Sequence, residues 1–293
     1  MLLTKPQRLF PVDYTSLLKQ LLDEPVKLNR RTGKGIRAVA GGASFKLDLS
    51  DRKMPVCGVR KLYPGTAAAE VAWFLSGARD TKWLDRYCKI WKPFAEPDGG
   101  VDAAYGYRWR THFGRDQLRD AVDALTVNPS DRRIYVSAWD PTKDGLGRPS
   151  KNVPCPVGFT LSLQQVYRAD EDGPAEYTLH SSLFIRSSDV FVGLPYDVMG
   201  HAILMDVLCA SLGVPATLGT MTVTLAHPHL YDVHTKMAEE SLVAIPTYSN
   251  VPLMGFATLG DVTDDPDGFV ASYRERASKA EWPTFKCNPE LVL

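Results

Sequence analysis

Cys155 lies between Pro154 and Pro156, just ahead of an alternating apolar run. The two prolines restrict the local backbone and hold the thiol at the entrance of a strand. Two readings stand side by side. Free cysteine usually packs as a small hydrophobe. A nucleophilic cysteine instead needs positive charge close by to form its thiolate. Arg132, Arg133 and Arg186 are on offer, but spacing alone brings none of them to the thiol. Arg186-Ser187-Ser188-Asp189 closes a strand pattern, and a guanidinium beside hydroxyls suits a phosphate. Arg132-Arg133 by itself reads as a solvated surface pair. Arg31-Thr32-Gly33-Lys34-Gly35 is a small basic loop without P-loop spacing.

Glu70 interrupts the apolar stretch Ala67 to Leu75. It either takes the exposed stripe of a helix or is buried with a raised pKa. In the second case it is a general acid–base for neutral pH. Asp197 comes just after Pro195, and its plain reading is a carboxylate favoured by a helix N-terminus. His229 and Tyr231 share one face of an extended segment. No third ligand stands at a suitable spacing, so no metal site is expected.

These residues need elements to position them. Leu17, Leu18, Leu21 and Leu22 follow Asp13 at helical spacing, with Asp13 as the expected N-cap. Thr66 to Gly77 reads as a buried helix with a glycine C-cap. Leu118, Ala121, Val122 and Leu125 mark another helix, stopped before Pro129. Strand patterns cover Phe45 to Leu49, Arg133 to Trp139, Val157 to Leu163, Tyr177 to Ile185 and Ala216 to Ala226. Pro195 opens a long helix with Val198, Ala202, Met205 and Cys209 on one face. Glu96 to Val101 and Asp140 to Pro154 read as loops, too short for a domain boundary. The interspersed patterns predict one α+β domain over 1–293, with a large mixed sheet flanked by helices.

Composition narrows the function. The 293 residues carry 34 Lys+Arg and 34 Asp+Glu, 44% hydrophobic and 23% charged residues, within the range of soluble globular proteins. A balanced charge argues against general nucleic-acid or membrane-surface binding but allows a local arginine cluster around one small anion. No apolar run nears the roughly 20 residues of a membrane span. Met1 to Tyr14 lacks a signal-peptide layout. Five cysteines without a CxxC pair disfavour a zinc ribbon and a disulfide framework. The expected compartment is the cytoplasm.

In order, the chemical segments resemble the thymidylate synthase family of pyrimidine C5 transferases. They are Arg31-Thr32-Gly33, Glu70 with Trp73-Phe74-Leu75, Tyr105-Gly106-Tyr107-Arg108-Trp109-Arg110, Arg132-Arg133 with Trp139, Pro154-Cys155, Arg186 through Tyr196, and His229-Leu230-Tyr231. They span about 25–236, and 237–293 carries no visible likeness. The resemblance implies that Cys155 attacks C6 of the pyrimidine. Arg31, Arg186 and Ser187 would hold the 5′-phosphate of a pyrimidine nucleoside monophosphate. Arg132 and Arg133 would reach the phosphate of a neighbouring subunit in a homodimer with shared sites. His229 and Tyr231 would take the sugar 3′-hydroxyl. Glu70 would move protons at the base through ordered water. Trp91 and Asp189 would contact the folate, with 5,10-methylenetetrahydrofolate as one-carbon donor.

Two departures refine this expectation. The family's usual Asn is Asp197 here. An amide both donates and accepts, matching O4 and N3–H of uracil, whereas a carboxylate accepts from the N4 amine of cytosine and stabilises a protonated N3. The family's usual His after the nucleophile is Pro156. Both point to the deoxycytidylate hydroxymethylase branch, in which water adds to an exocyclic methylene. Three enzymatic alternatives stand beside it: a cytidylate C5-methyltransferase, a CMP hydroxymethylase and a divergent thymidylate synthase. A non-catalytic nucleotide-binding relative would need neither Cys155 nor Glu70.

Overall fold

The computed structural model describes residues 10–147, 152–166, 175–243, 250–287, 289, 291 and 292. The first residues of the Met1 to Tyr14 segment, part of the Asp140 to Pro154 loop, and Glu290 and Leu293 of the C-terminus lie outside it. Nine strands are described: β1 (Lys27–Asn29), β2 (Lys34–Ala38), β3 (Ala43–Asp48), β4 (Tyr135–Ser137), β5 (Pro156–Val166), β6 (Glu176–Ile185), β7 (Ser188–Asp189), β8 (Ala216–Leu225) and β9 (Pro228–Tyr231). The helices are α1 (Phe10–Asp23), α2 (Pro64–Ser76), α3 (Tyr105–Tyr107), α4 (Gln117–Val127), α5 (Leu194–Ala210), α6 (Thr235–Val243), α7 (Leu259–Asp264) and α8 (Pro266–Ser278).

The expected α+β class holds, with the strands divided between two mixed sheets. One runs β3-β8-β6-β5-β4 and the other β1-β2-β9-β7. β6 and β8 pair in parallel, with Leu183 opposite Val223, because α5 crosses between them. β5 pairs antiparallel with β6 in a register that shifts between Pro156 and Gly158. That irregularity lies beside Cys155, where a proline cannot donate to the ladder.

Local sequence explains most of the helices. Pro64 occupies the first turn of α2, and Gly77 ends it in the left-handed conformation, its N–H donating to the Phe74 carbonyl at 3.1 Å. Asp116 caps α4 by accepting from the Arg119 N–H. Two expectations need correction. Asp13 lies inside the first turn of α1 rather than at its N-cap, because Phe10 and Tyr14 extend the buried stripe of Leu17, Leu18 and Leu21 toward the N-terminus. The face of Val198, Ala202, Met205 and Cys209 is buried as expected, but burial of α5 is not confined to it: the helix is buried nearly all round, wedged between the five-stranded sheet and α2.

The main core lies along this wedge, with Val198, Ala202 and Met205 packed into it together with Phe159 and Leu183. A smaller aromatic core gathers Trp73, Trp91 and Leu84, with Phe74, Phe94 and Tyr105 against it. Gly106 allows this second core to close. A Cβ there would run into the Phe74 carbonyl, so only glycine lets α3 touch the α2 backbone. No helix among the described residues is long and apolar enough to cross a membrane.

Candidate active site

A cavity of about 1160 Å³ opens where α2, α5, the start of β5 and the β7–β9 edge converge. Tyr196, Asp197, Gly200, His201 and Leu204 line it from α5, at the spacing of one helical face. Thr66, Ala67, Glu70, Val71 and Phe74 line it from α2 in the same way. The two carboxyls thus enter one space from facing helices. The fold gathers Cys155, Glu70, Asp197, Arg31, Arg186, Ser187, Asp189, His229, Tyr231 and Trp91 around this cavity.

Cys155 stands at the mouth of β5. Arg186 wraps it: Nε donates to the Pro154 carbonyl at 2.8 Å and Nη2 to the Val153 carbonyl at 2.9 Å, with Nη2 3.9 Å from the Cys155 Sγ. The Arg186 backbone N–H also donates to the Cys155 carbonyl at 2.9 Å. Its guanidinium lies 5.8 Å from the centre of the Trp139 ring. The buried Arg108 binds Asp144 at 3.1 Å and approaches Asp140, the residue after Trp139, at 3.5 Å, bracing the following loop. Burial pushes the Cys155 thiol up, Arg186 and Arg31 pull it down, and Asp197 and Asp189 oppose them.

Glu70 does not sit on an exposed stripe. Its Oε1 accepts from the Trp91 indole N–H at 2.7 Å. Burial raises it to about 7, partly offset by that hydrogen bond. Asp197 is also raised to about 7, first by burial and then by the charges of Glu70 and Asp189. Two carboxyls that both titrate near neutrality can hold and pass protons at working pH.

On β7, Asp189 Oδ1 accepts from the Phe191 and Val192 amides at 3.1 and 3.0 Å. Its Oδ2 is buried with no partner among the described residues. Parallel pairing of β7 with β9 sets Asp189 opposite His229. His229 Nδ1 is 3.2 Å from the His227 carbonyl, and its ring centroid is 5.1 Å from that of Tyr231. The Arg31 charge works against the burial that raises the Tyr231 hydroxyl. The Asn29 side chain holds the Arg31 loop by accepting from the Arg31 and Thr32 amides, at 3.0 and 3.2 Å.

Arg132 and Arg133 stand apart from this cluster. Both are exposed, neither lines the cavity, and Arg133 pairs with Asp131 at 2.7 Å. Among the described residues, no group of three or more His, Cys, Asp or Glu is placed to hold a metal.

Three cavity residues escaped the sequence reading. Tyr105 is half-buried on the cavity wall, and desolvation raises its pKa. The segment Tyr105–Arg110 was the available signal, but nothing local distinguishes this tyrosine from Tyr107. Arg60 is buried against the Phe191 carbonyl at 2.7 Å and lacks any motif. His201 is buried four residues after Asp197, and only the helical face reveals it.

The thymidylate synthase family profile matches residues 12–262 of this chain. The chain belongs to the thymidylate synthase family. The match extends beyond the 25–236 span that carries the resemblance. The thymidylate synthase family acts on pyrimidine nucleoside monophosphates and transfers a one-carbon unit from methylenetetrahydrofolate to C5. The cavity fits such a donor. The unpartnered Oδ2 of Asp189 can accept from a ring N–H, and Trp91 and Phe94 offer aromatic surface elsewhere on the cavity lining.

Proposed function

We propose that this protein is a cytosine-nucleotide C5 hydroxymethylase acting on dCMP. The observation that carries this reading is the Asp197 carboxyl, set on the cavity face of α5 opposite Glu70. An acceptor there suits the N4 amine of cytosine, and its value of about 7 lets it share a proton with N3. Uracil would meet an acceptor where its O4 needs a donor. Pro156 in place of a histidine removes one polar group on which binding of uracil O4 would draw.

Arg31, Arg186 and Ser187 hold the 5′-phosphate, and His229 and Tyr231 the sugar. In the free chain the thiol is pushed up despite Arg186. More positive charge would favour the thiolate. The exposed Arg132 and Arg133 of a second subunit would supply it in a homodimer with shared sites. Tyr135 and Phe184, both exposed on the outer face of the five-stranded sheet, offer that subunit an apolar surface.

The Cys155 thiolate adds to C6 and makes C5 a carbon nucleophile. Asp189 and Trp91 would hold 5,10-methylenetetrahydrofolate, which would supply the one-carbon unit. Glu70 carries protons at the base through water. Loss of the C5 proton and departure of tetrahydrofolate would leave an exocyclic methylene on the nucleotide; water adds to it, and elimination of the Cys155 thiolate from C6 restores the ring and releases the hydroxymethyl product. The second reading is a cytidylate C5-methyltransferase, favoured by Trp91 on the cavity wall. Mass spectrometry of the products from dCMP, CMP and dUMP separates them. A hydroxymethyl gain on dCMP is expected. A methyl gain on dCMP selects the second reading, and turnover of dUMP alone overturns both.

A further inference from the structure

His201 is a buried polar group that the reaction scheme above leaves unused. It lies one turn beyond Asp197 on the same face of α5, and side chains at this spacing are neighbours, about 6 Å apart at Cβ. Its ring packs edge-on against Phe159, 4.9 Å between centroids. Nε2 is 2.8 Å from the Oγ of Ser181, itself buried on β6. Nδ1 has no hydrogen-bond partner among the described residues, and the residue lines the cavity floor. A buried polar pair in an apolar floor costs stability unless its hydrogen bonds are used. Packing alone would be served better by an apolar ring.

Burial drives His201 down to about 3, so the imidazole is neutral at any working pH and owns one N–H. The Ser181 hydroxyl decides where that proton sits. When Oγ–H donates to Nε2, the proton is on Nδ1, the nitrogen that Ser181 does not hold, on a residue that shares the cavity face of α5 with Asp197. We propose that His201, pinned by Ser181, is a positioning residue that donates from Nδ1 to the Asp197 carboxylate through one water. It thereby holds that carboxylate as the acceptor the base requires. The proposal rests on Asp197 as the base-facing carboxyl, but it predicts a property of the free protein.

The titratable groups around the pair are Glu70 from α2, Asp189 from β7, Cys155 and Arg186 at the mouth of β5, and Tyr105 from α3. The test therefore reads Asp197 itself. The protein is labelled with 13C at the aspartate carboxyls, the Asp197 resonance is identified by its loss in Asp197→Asn, and its titration is followed by NMR without substrate. Loss of one donor in His201→Phe should move the Asp197 midpoint up by about half to one pH unit. Ser181→Ala, which frees the tautomer, should move it the same way by less. His201→Asn, which keeps a donor near the place of Nδ1, should restore most of the wild-type midpoint. A merely structural histidine would lower thermal stability and leave the midpoint where it is, and an unmoved midpoint in His201→Phe and Ser181→Ala overturns the proposal. Tritium release from 5-labelled dCMP, run alongside, tests the cytosine reading separately. Its failure with a shifted midpoint would reject the substrate and keep the role of His201.

Discussion

Asp197→Asn should change two measurable properties at once. The carboxyl ordinarily titrates at 3.8 and is raised to about 7 in the fold. The folded protein therefore binds a proton that the unfolded chain has released. Stability from this group is complete below about pH 4 and is lost as pH rises through 7. At about 1.4 kcal/mol per pH unit, the ionised carboxylate costs the fold roughly 4 kcal/mol at pH 8. An amide carries no such charge but still needs hydrogen bonds, so about 1–3 kcal/mol of that cost should be recovered. Thermal unfolding without nucleotide should rise by roughly 2–5 °C at pH 8 and hardly change at pH 4.5. In parallel, the amide should lower kcat/KM for dCMP by about ten- to a thousand-fold and raise it for dUMP. Pro156 should limit that gain. Melting curves at the two pH values and steady-state kinetics with both nucleotides read these effects. Equal melting shifts at both pH values would refute the buried-charge reasoning. An unchanged preference between cytosine and uracil would refute the assignment of Asp197 to the base.

Cys155→Ser should abolish turnover while nucleotide affinity, measured by calorimetry, stays within a few-fold, because a hydroxyl is a far weaker nucleophile at neutral pH. Glu70→Gln, which removes a group poised near 7, should cut tritium release from 5-labelled dCMP by about a hundred-fold or more and raise the melting temperature at pH 8 but not at pH 4.5. Arg133→Ala mixed with Cys155→Ser should recover up to about a quarter of wild-type activity through hybrid dimers with one intact site. No recovery after subunit exchange has been demonstrated would mean that the arginine acts only within its own subunit. Gly106→Ala should cost about 3 kcal/mol in denaturant unfolding, because the new methyl would collide with the α2 backbone at Phe74.

The sequence by itself determined the elements whose signals are local. Gly77 ends α2 in the sequence as in the structure, and period-2 alternation marked β5 and β6, because backbone preference and pleat act over a few residues. The order of motifs around Arg31, Cys155, Arg186 and His229 was enough to indicate the family, since each motif is contiguous. What Glu70 is, however, was open until the fold closed. Its seat on the cavity wall, its bond to Trp91 and its value of about 7 depend on α2 and α5 meeting over the start of β5. The same holds for the approach of Arg186 to Cys155, 31 positions away and brought near by β5–β6 pairing. Tyr105, Arg60 and His201 were illegible for the same reason. Their chemistry is set by burial and by partners distant in sequence, and only tertiary packing decides either.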